Sequence, residues 1–342
     1  MRIATYNVEW FSNLFARDGQ LLEDGEWSGR QDVTRGDQLA SLGIVFTALD
    51  ADAVMVIEAP DDNRHRDTVR SLENFAKHYG LRARKALLGF RNDTQQEIAL
   101  LYNPDLLEAV HDPIGRETGK KGNPYAPRFD GVFRWDIDVD AAPELIGFSK
   151  PPLEVALTVK ATGRVLRMIG VHVKSKAPHG ARGREEVMRV AIQNRRKQMA
   201  QCIWLRQRIE GHLEAGESLI VLGDFNDGPG LDEYEKLFGR SGVEVVVGEN
   251  GAVKLHDPHA RMAFNRRVGG MPVTARFYIA KEKRYLEALL DYVMLSPDLC
   301  ALDPNWRIWH PFNDPVCYRT PELREALLTG SDHFPVSVDL DL

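Results

Sequence analysis

Short apolar runs that stop abruptly at a polar residue recur along this chain, and they set its expected architecture. Residues 219–223 read Leu-Ile-Val-Leu-Gly and end in Asp224-Phe225-Asn226, the pattern of a strand covered on both faces whose carboxylate stands where the chain leaves the core. If the extended conformation continues, Asp224 and Asn226 share one side and can hold one water or phosphate oxygen between them. The alternative is a strand end followed by an Asx-type turn through Asn226, Asp227 and Gly228. Residues 3–8 predict a strand delivering Asn7, and residues 53–58 a buried strand delivering Glu58. Leu39, Leu42, Ile44, Val45, Phe46 and Leu49 fit a helix between them, and residues 64–79 predict an amphipathic helix closed by Gly80.

Residues 81–88 and 97–102 predict paired strands, and 132–139 a further strand. Residues 153–160 and 164–171 predict a hairpin, from which His172 emerges. A long helix follows over 185–210, with Met188, Ile192, Met199, Cys202, Ile203 and Ile209 on its inner face. Residues 231–238 predict a short helix and 243–247 a strand, while 256–272 reads as irregular and basic. Residues 273–279 and 285–295 predict a hairpin whose second arm carries Asp291, and a last strand covers 336–340 after Asp332-His333. Strands alternating with helices predict a layered α/β protein, and hairpins without crossovers mean that its sheets are not purely parallel.

With 342 residues, no repeat and no Ser/Gly- or Pro-rich linker, a single domain over 1–342 is expected. No window approaches the roughly 18 apolar residues of a membrane helix. Residues 1–7 enter the strand pattern directly, without the apolar core of a signal peptide, which predicts a cytoplasmic location. The three scattered cysteines, Cys202, Cys300 and Cys317, suit a reducing compartment and offer neither a zinc spacing nor a disulfide framework. A net charge of −6 argues against a surface built wholly for nucleic acid. Between Lys174 and Arg208, however, ten Lys and Arg face two Glu, so the run is either a local polyanion face or a solvated helix surface.

Each polar strand end, taken alone, has a structural explanation as a turn cap or a hydrogen-bonded core residue. Together, Thr-Tyr-Asn7-Val, Val-Ile-Glu58, Val-His172-Val-Lys-Ser-Lys, Gly-Asp224-Phe-Asn226, Leu-Asp291-Tyr-Val and Ser-Asp332-His333-Phe-Pro-Val resemble the endonuclease/exonuclease/phosphatase superfamily, in its motif order from residue 7 to 336. That superfamily includes pancreatic-type deoxyribonucleases, abasic-site endonucleases, neutral sphingomyelinases and inositol-phosphate phosphatases. The resemblance implies a four-layer αββα sandwich of two packed, mostly antiparallel sheets flanked by helices, with a cleft at one end of the sheets.

The resemblance also implies roles. Glu58 stands for the metal-binding Glu, with Asn7 and Asp332 as further direct or water-mediated ligands of Mg²⁺ or Mn²⁺, since few carboxylates suit a cation that keeps its waters. Asp224 stands for the group that orients or deprotonates the attacking water, and Asn226 for the amide beside it. His333 stands for the histidine on the scissile phosphate, with Asp291 on its far nitrogen. His172 resembles the second histidine of the deoxyribonuclease and sphingomyelinase branches, with Glu97 as its expected partner.

Two departures stand out. Lys150-Pro151-Pro152 occupies the place of an Arg-Pro pair, so a point charge replaces a bidentate fork on the phosphate. The segment 256–272 matches no family pattern, and substrate choice in such folds lives in loops. Lys150, Lys174 and Lys176 are the expected phosphate contacts, with Arg182 and Arg184 beyond them for flanking phosphates. The expected activity is metal-dependent phosphodiester hydrolysis, with a nuclease favoured over a phosphatase or lipid phosphodiesterase. A catalytically silent binding module is disfavoured by the complete set of Glu58, Asp224, Asn226, Asp291 and His333.

Overall fold

The computed structural model describes the chain except for residues 137–142, 179, 230–234, 250, 252, 266–269 and 280–282. In chain order the first half comprises β1 (Arg2–Asn7), α1 (Arg35–Leu49), β2 (Ala53–Ala59), α2 (Thr68–His78), β3 (Lys85–Leu88), β4 (Glu97–Tyr102), β5 (Leu107–His111), β6 (Phe133–Trp135) and β7 (Glu144–Ile146). Then come β8 (Leu153–Val159), β9 (Val165–His172), the 31-residue α3 (Arg184–Glu214), β10 (Leu219–Asp224), α4 (Glu235–Phe238), α5 (Gly242–Val247) and α6 (Pro258–Phe264). The chain closes with β11 (Ala275–Ile279), β12 (Arg284–Ala288), β13 (Asp291–Leu295), α7 (Pro297–Cys300), β14 (Asn305–Ile308), α8 (Pro315–Arg319), α9 (Pro321–Gly330) and β15 (Val336–Asp339).

Strand order is β14-β15-β1-β2-β4-β3 in one large sheet and β13-β10-β9-β8-β5 in the other. Only β1/β2 and β9/β10 pair in parallel, and all other described pairings in these two sheets are antiparallel. Alternate residues of each strand serve different cores, as the pleat requires. Ile3, Met55, Ile57, Leu100, Met168, Ile220, Leu222 and Val293 fill the space between the sheets. Tyr6, Val54 and Val56 face away from them, toward Leu42, Phe46, Phe75 and Leu327 of the helices outside the first sheet. Val171, Val221 and Tyr292 face Trp204, Leu205 and Ile209 of α3 outside the second. These layers are the αββα sandwich expected from the resemblance.

Several local expectations change. The strand expected over 81–88 forms only at Lys85–Leu88, and the helix expected over 64–79 starts at Thr68 because Asp67 accepts the Arg70 amide as its cap. Residues 243–247 are helical rather than extended. Ser241 and Glu244 form a reciprocal capping box and Gly248 ends the turn left-handed, so the caps and the burial of four valines override β propensity. The segment 256–272 contains helix α6, capped by Asp257. The expected hairpin arm over 285–295 is two strands: β12 pairs with β11 in a separate ribbon, and Asp291 opens β13 in the large sheet. The strand expected over 132–139 is seen at Phe133–Trp135, and the helix expected over 231–238 at Glu235–Phe238; residues 137–139 and 231–234 lie outside the described residues. Among the described residues no helix is long and apolar enough to cross a membrane.

Gly223 sits one residue before Asp224 at φ 133°, and a Cβ there would lie 2.1 Å from the Val171 carbonyl oxygen. The obstruction is backbone of the neighbouring strand, so it cannot swing aside, and the conformation itself disfavours any side chain. Gly223→Ala is expected to destabilise the protein by at least about 2 kcal/mol. An unchanged denaturant midpoint in the purified variant would show that β9 and β10 can separate locally at no cost.

Candidate active site

Four of the site's side chains end rows of residues that lie between the sheets. Asn7 continues the row Ile3-Thr5, His172 the row Leu166-Met168-Gly170, and Asp224 the row Ile220-Leu222, while Asp291 heads the row Val293-Leu295. The same two-residue period that builds the inter-sheet core therefore brings a polar end from each of β1, β9, β10 and β13 to one place. Cross-strand register confirms the level, since Asp224 lies opposite both His172 and Asp291.

Glu58 arrives differently. By strict alternation it would follow Val54 and Val56 away from the site, but the β2/β4 register shifts between Ile57 and Ala59 and Glu58 takes a left-handed φ of 60°. This bulge turns its carboxylate to within 3.8 Å of His172 Nε2 and 3.9 Å of Lys150 Nζ. Asn226 is also left-handed, φ 50°, so the extended conformation ends at Asp224. The two side chains still meet through a turn: Asn226 donates its backbone amide to Asp224 Oδ1 at 2.7 Å and its side-chain amide to Oδ2 at 3.0 Å. Such strained non-glycine positions cost roughly 1–3 kcal/mol each and cluster where geometry is imposed by function.

Asn7 donates to Asp224 Oδ2 at 3.1 Å, so the buried carboxylate is oriented by two amides. Burial raises the Asp224 pKa to about 7, opposed by His333 and reinforced by Asp291. Asp291 Oδ2 lies 2.7 Å from His333 Nδ1, forming the expected dyad. Burial disfavours a charged His333, yet Asp291, with Asp224 and Asp332 behind it, lifts its pKa well above the ordinary value and makes it an imidazolium. Thr274 fixes the dyad from below: its hydroxyl oxygen accepts the Leu290 and Asp291 amides, and its carbonyl accepts the Phe334 amide.

The second histidine is held in the opposite state. Burial, then Lys150 and His333, depress the His172 pKa well below the ordinary value. Lys150 Nζ lies 3.1 Å from Nδ1 and 3.5 Å from Nε2, and Nε2 faces Asp224 Oδ2 at 3.5 Å. Burial also lowers the Lys150 pKa, against the pull of Glu58 and Asp224.

Glu97 does not partner His172. Its carboxylate accepts from Asn92 at 2.6 Å and from the Asp62 amide at 3.4 Å, with burial raising its pKa to about 7. The residue that does reach the site from this segment is Gln96, which donates to Glu58 Oε2 at 2.5 Å, because the bulge shifts the register. Lys176 is likewise committed elsewhere, 2.6 Å from the fully buried Asp227, which Arg195 also holds at 2.8 Å. Much of the basic run is structural in the same way. Arg208 pairs with buried Glu154, and Arg206 donates to the Val246, Val247 and Val253 carbonyls. Lys174 is half-buried two residues beyond His172, while Arg182 and Arg184 are exposed at the start of α3.

Glu9 was missed by sequence reading because it follows a strand into a polar loop. Burial, then Asp332, raise its pKa to about 7, and Glu58 adds to the effect, so the three carboxylates share one region. The signal available was its i, i+2 spacing from Asn7. The site's oxygens fit a divalent cation: Asn7 Oδ1 is buried without a hydrogen-bond partner, beside carboxylates whose ionised forms are otherwise disfavoured.

The family described as endonuclease/exonuclease/phosphatase matches residues 4–333 of the sequence. No curated protein was matched by sequence. Among solved structures, truncated TDP2 of Caenorhabditis elegans superposes with a TM-score of 0.51 at 13% identity, over 98% of this chain and 96% of that one. Mannosyl-6-phosphatase Bt3783 of Bacteroides thetaiotaomicron VPI-5482 gives 0.50 at 14% identity over 100% of both chains. At these identities the likeness is one of fold. With its motifs assembled into a single polar cluster between the two sheets, the chain belongs to the endonuclease/exonuclease/phosphatase family, whose enzymes hydrolyse phosphoester bonds and use divalent metal ions.

Proposed function

We propose that the protein is a Mg²⁺-dependent phosphodiesterase, acting as one catalytic unit over 1–342, with nucleic acid as its substrate class. The observation that carries this reading is the convergence of Asp224, held by two amides, with the Asp291–His333 imidazolium dyad at one level of the two sheets. Glu58, Asn7 Oδ1 and Asp332 are the residues that would hold the cation, which when bound draws negative charge away from the phosphate. Asp224 orients the attacking water and takes its proton, for which a pKa near neutrality is apt. His333 directs its Nε2 hydrogen at the phosphate oxygen, where charge accumulates, while Asp291 keeps the ring charged and oriented. Lys150 and His172 stand beside Glu58 and Asp224 and add a cation and an imidazole to the site.

The carboxylate excess favours a diester over a monoester. The pKa values of Glu9, Glu58 and Asp224 are all raised, with Asp332 among the charges acting on Glu9 and Glu58, and a monoanionic diester meets less repulsion there than a dianionic monoester. Cys202, Cys300 and Cys317 are free thiols, in keeping with a reducing, cytoplasmic setting.

A hydrolysis screen with Mg²⁺ and Mn²⁺ over plasmid DNA, single strands, RNA, bis-p-nitrophenyl phosphate and inositol phosphates tests the class. We expect diesters to be cleaved and monoesters spared; the reverse preference overturns the reading. Asp224→Asn is expected to fold normally and to lose roughly 10²- to 10⁴-fold in kcat, the span typical of a positioned base. Near-normal turnover in that variant removes Asp224 from its role. For the dyad, once His333 is Ala, the further change Asp291→Ala is expected to cost little more activity. Losses that add in free energy would mean that the two residues act independently.

A further inference from the structure

Trp10 breaks two rules at once. It is a large aromatic residue 46% exposed, and it adopts a left-handed backbone, φ 59° and ψ 22°, as it enters the short 3₁₀ turn Phe11–Leu14. Bulky side chains rarely sit there, and an indole left in water gains nothing from burial. The surroundings nevertheless hold this ring in place. Its Nε1 hydrogen is donated to Glu9 Oε1 at 2.9 Å. One face rests on Gly29, φ 112°, where a Cβ would come within 2.8 Å of the indole carbon Cγ and 2.9 Å of Asn13 Nδ2. The Glu9 carboxylate that orients the indole is itself paired with Arg30, and the Glu9 backbone amide donates at 3.2 Å to Ser331 Oγ, which in turn donates to the Asn7 carbonyl and lies next to Asp332 in the chain. A pinned and half-exposed aromatic ring thus stands at the edge of the reacting centre, on the side of the cation ligands.

We propose that Trp10 is a stacking platform for a nucleobase of the substrate, placed next to the cleaved phosphate; this rests on the phosphodiesterase reading and narrows it to nucleotide-bearing diesters. A base is favoured over a sugar by what surrounds the ring. Sugar recognition depends on side chains that are open to hydroxyl groups, and the polar groups here are already engaged: Glu9 Oε1 with Trp10, Glu9 Oε2 with Arg30, Asn13 with the Ser28 carbonyl, and the Trp27 indole with the Arg30 carbonyl. What the surface offers is a π face, which any base can use regardless of its sequence.

Direct binding tests this separately from catalysis. In the Asp224→Asn background with Mg²⁺ present, fluorescence anisotropy compares a labelled single-stranded tetranucleotide with the same tetramer made abasic throughout. The base-bearing tetramer is expected to bind about tenfold more tightly. Trp10→Ala is expected to bring the two Kd values together, and Gly29→Ala to do the same by displacing the indole while leaving Trp10 in the chain. Trp10→Phe is expected to keep most of the preference but to lose part of the tryptophan quenching seen on binding. The proposal is overturned if the preference survives Trp10→Ala, or if the parent shows none. A parent that binds both tetramers equally and weakens equally toward both on Trp10→Ala would mean that the ring meets a sugar, which also overturns it. Hydrolysis of bis-p-nitrophenyl phosphate by the unaltered protein reports on the phosphodiesterase reading alone, so the two ideas fail by different results.

Discussion

The structure depends on a constraint of burial: the apolar rows between two sheets must end, and they end in polar side chains that stay out of bulk water. Asn7, Asp224, Asp291 and His333 are nearly as buried as the leucines beneath them. Burying such groups is costly unless each finds a partner. Most of the partners here are each other, with Asn7 and Asn226 on Asp224 and Asp291 on His333. These hydrogen bonds fix the cluster in position, while Asn7 Oδ1 and Asp291 Oδ1 remain buried without a protein partner.

Low solvent access also separates the two histidines. Both are buried and both lie near Asp224, yet one is pushed toward the charged form and the other toward the neutral form. The difference is the immediate neighbour: a carboxylate on His333 Nδ1, an ammonium on His172 Nδ1. One fold thus biases one histidine toward the charged form and the other toward the neutral form through their nearest neighbours.

Much of this was legible in the sequence, for a physical reason. Asn7, Glu58, His172 and Asp224 each end an apolar run, and an apolar run that halts at an acceptor is visible without coordinates. The sandwich itself came from motif resemblance, since periodicity reached only a layered α/β protein. Long-range pairing stayed hidden. Nothing local says that Asp227 is buried, so Lys176 read as a free cation when it is the counter-ion of a core carboxylate. Glu97 carried the expected role until a bulge at Glu58 shifted the register and put Gln96 in reach instead. The valines of α5 read as a strand because the deciding interactions are a cap at Ser241 and packing against distant elements.

The pairing of β1 with β15 has a consequence for the order in which the protein is made. Ser331 donates its hydroxyl to the Asn7 carbonyl at 2.8 Å, and β15 is the neighbour that covers the side of β1 away from β2. A ribosome adding about 5–20 residues per second produces the first strand long before that neighbour exists. Through most of synthesis β1 is thus an apolar sheet edge with open backbone groups, the kind of surface that recruits unintended strands. Asn7 precedes Ser331 by 324 residues, so a nascent chain that stops between them lacks the Asp332-His333 part of the polar cluster. The polar cluster is in this way completed only once β15 has joined β1.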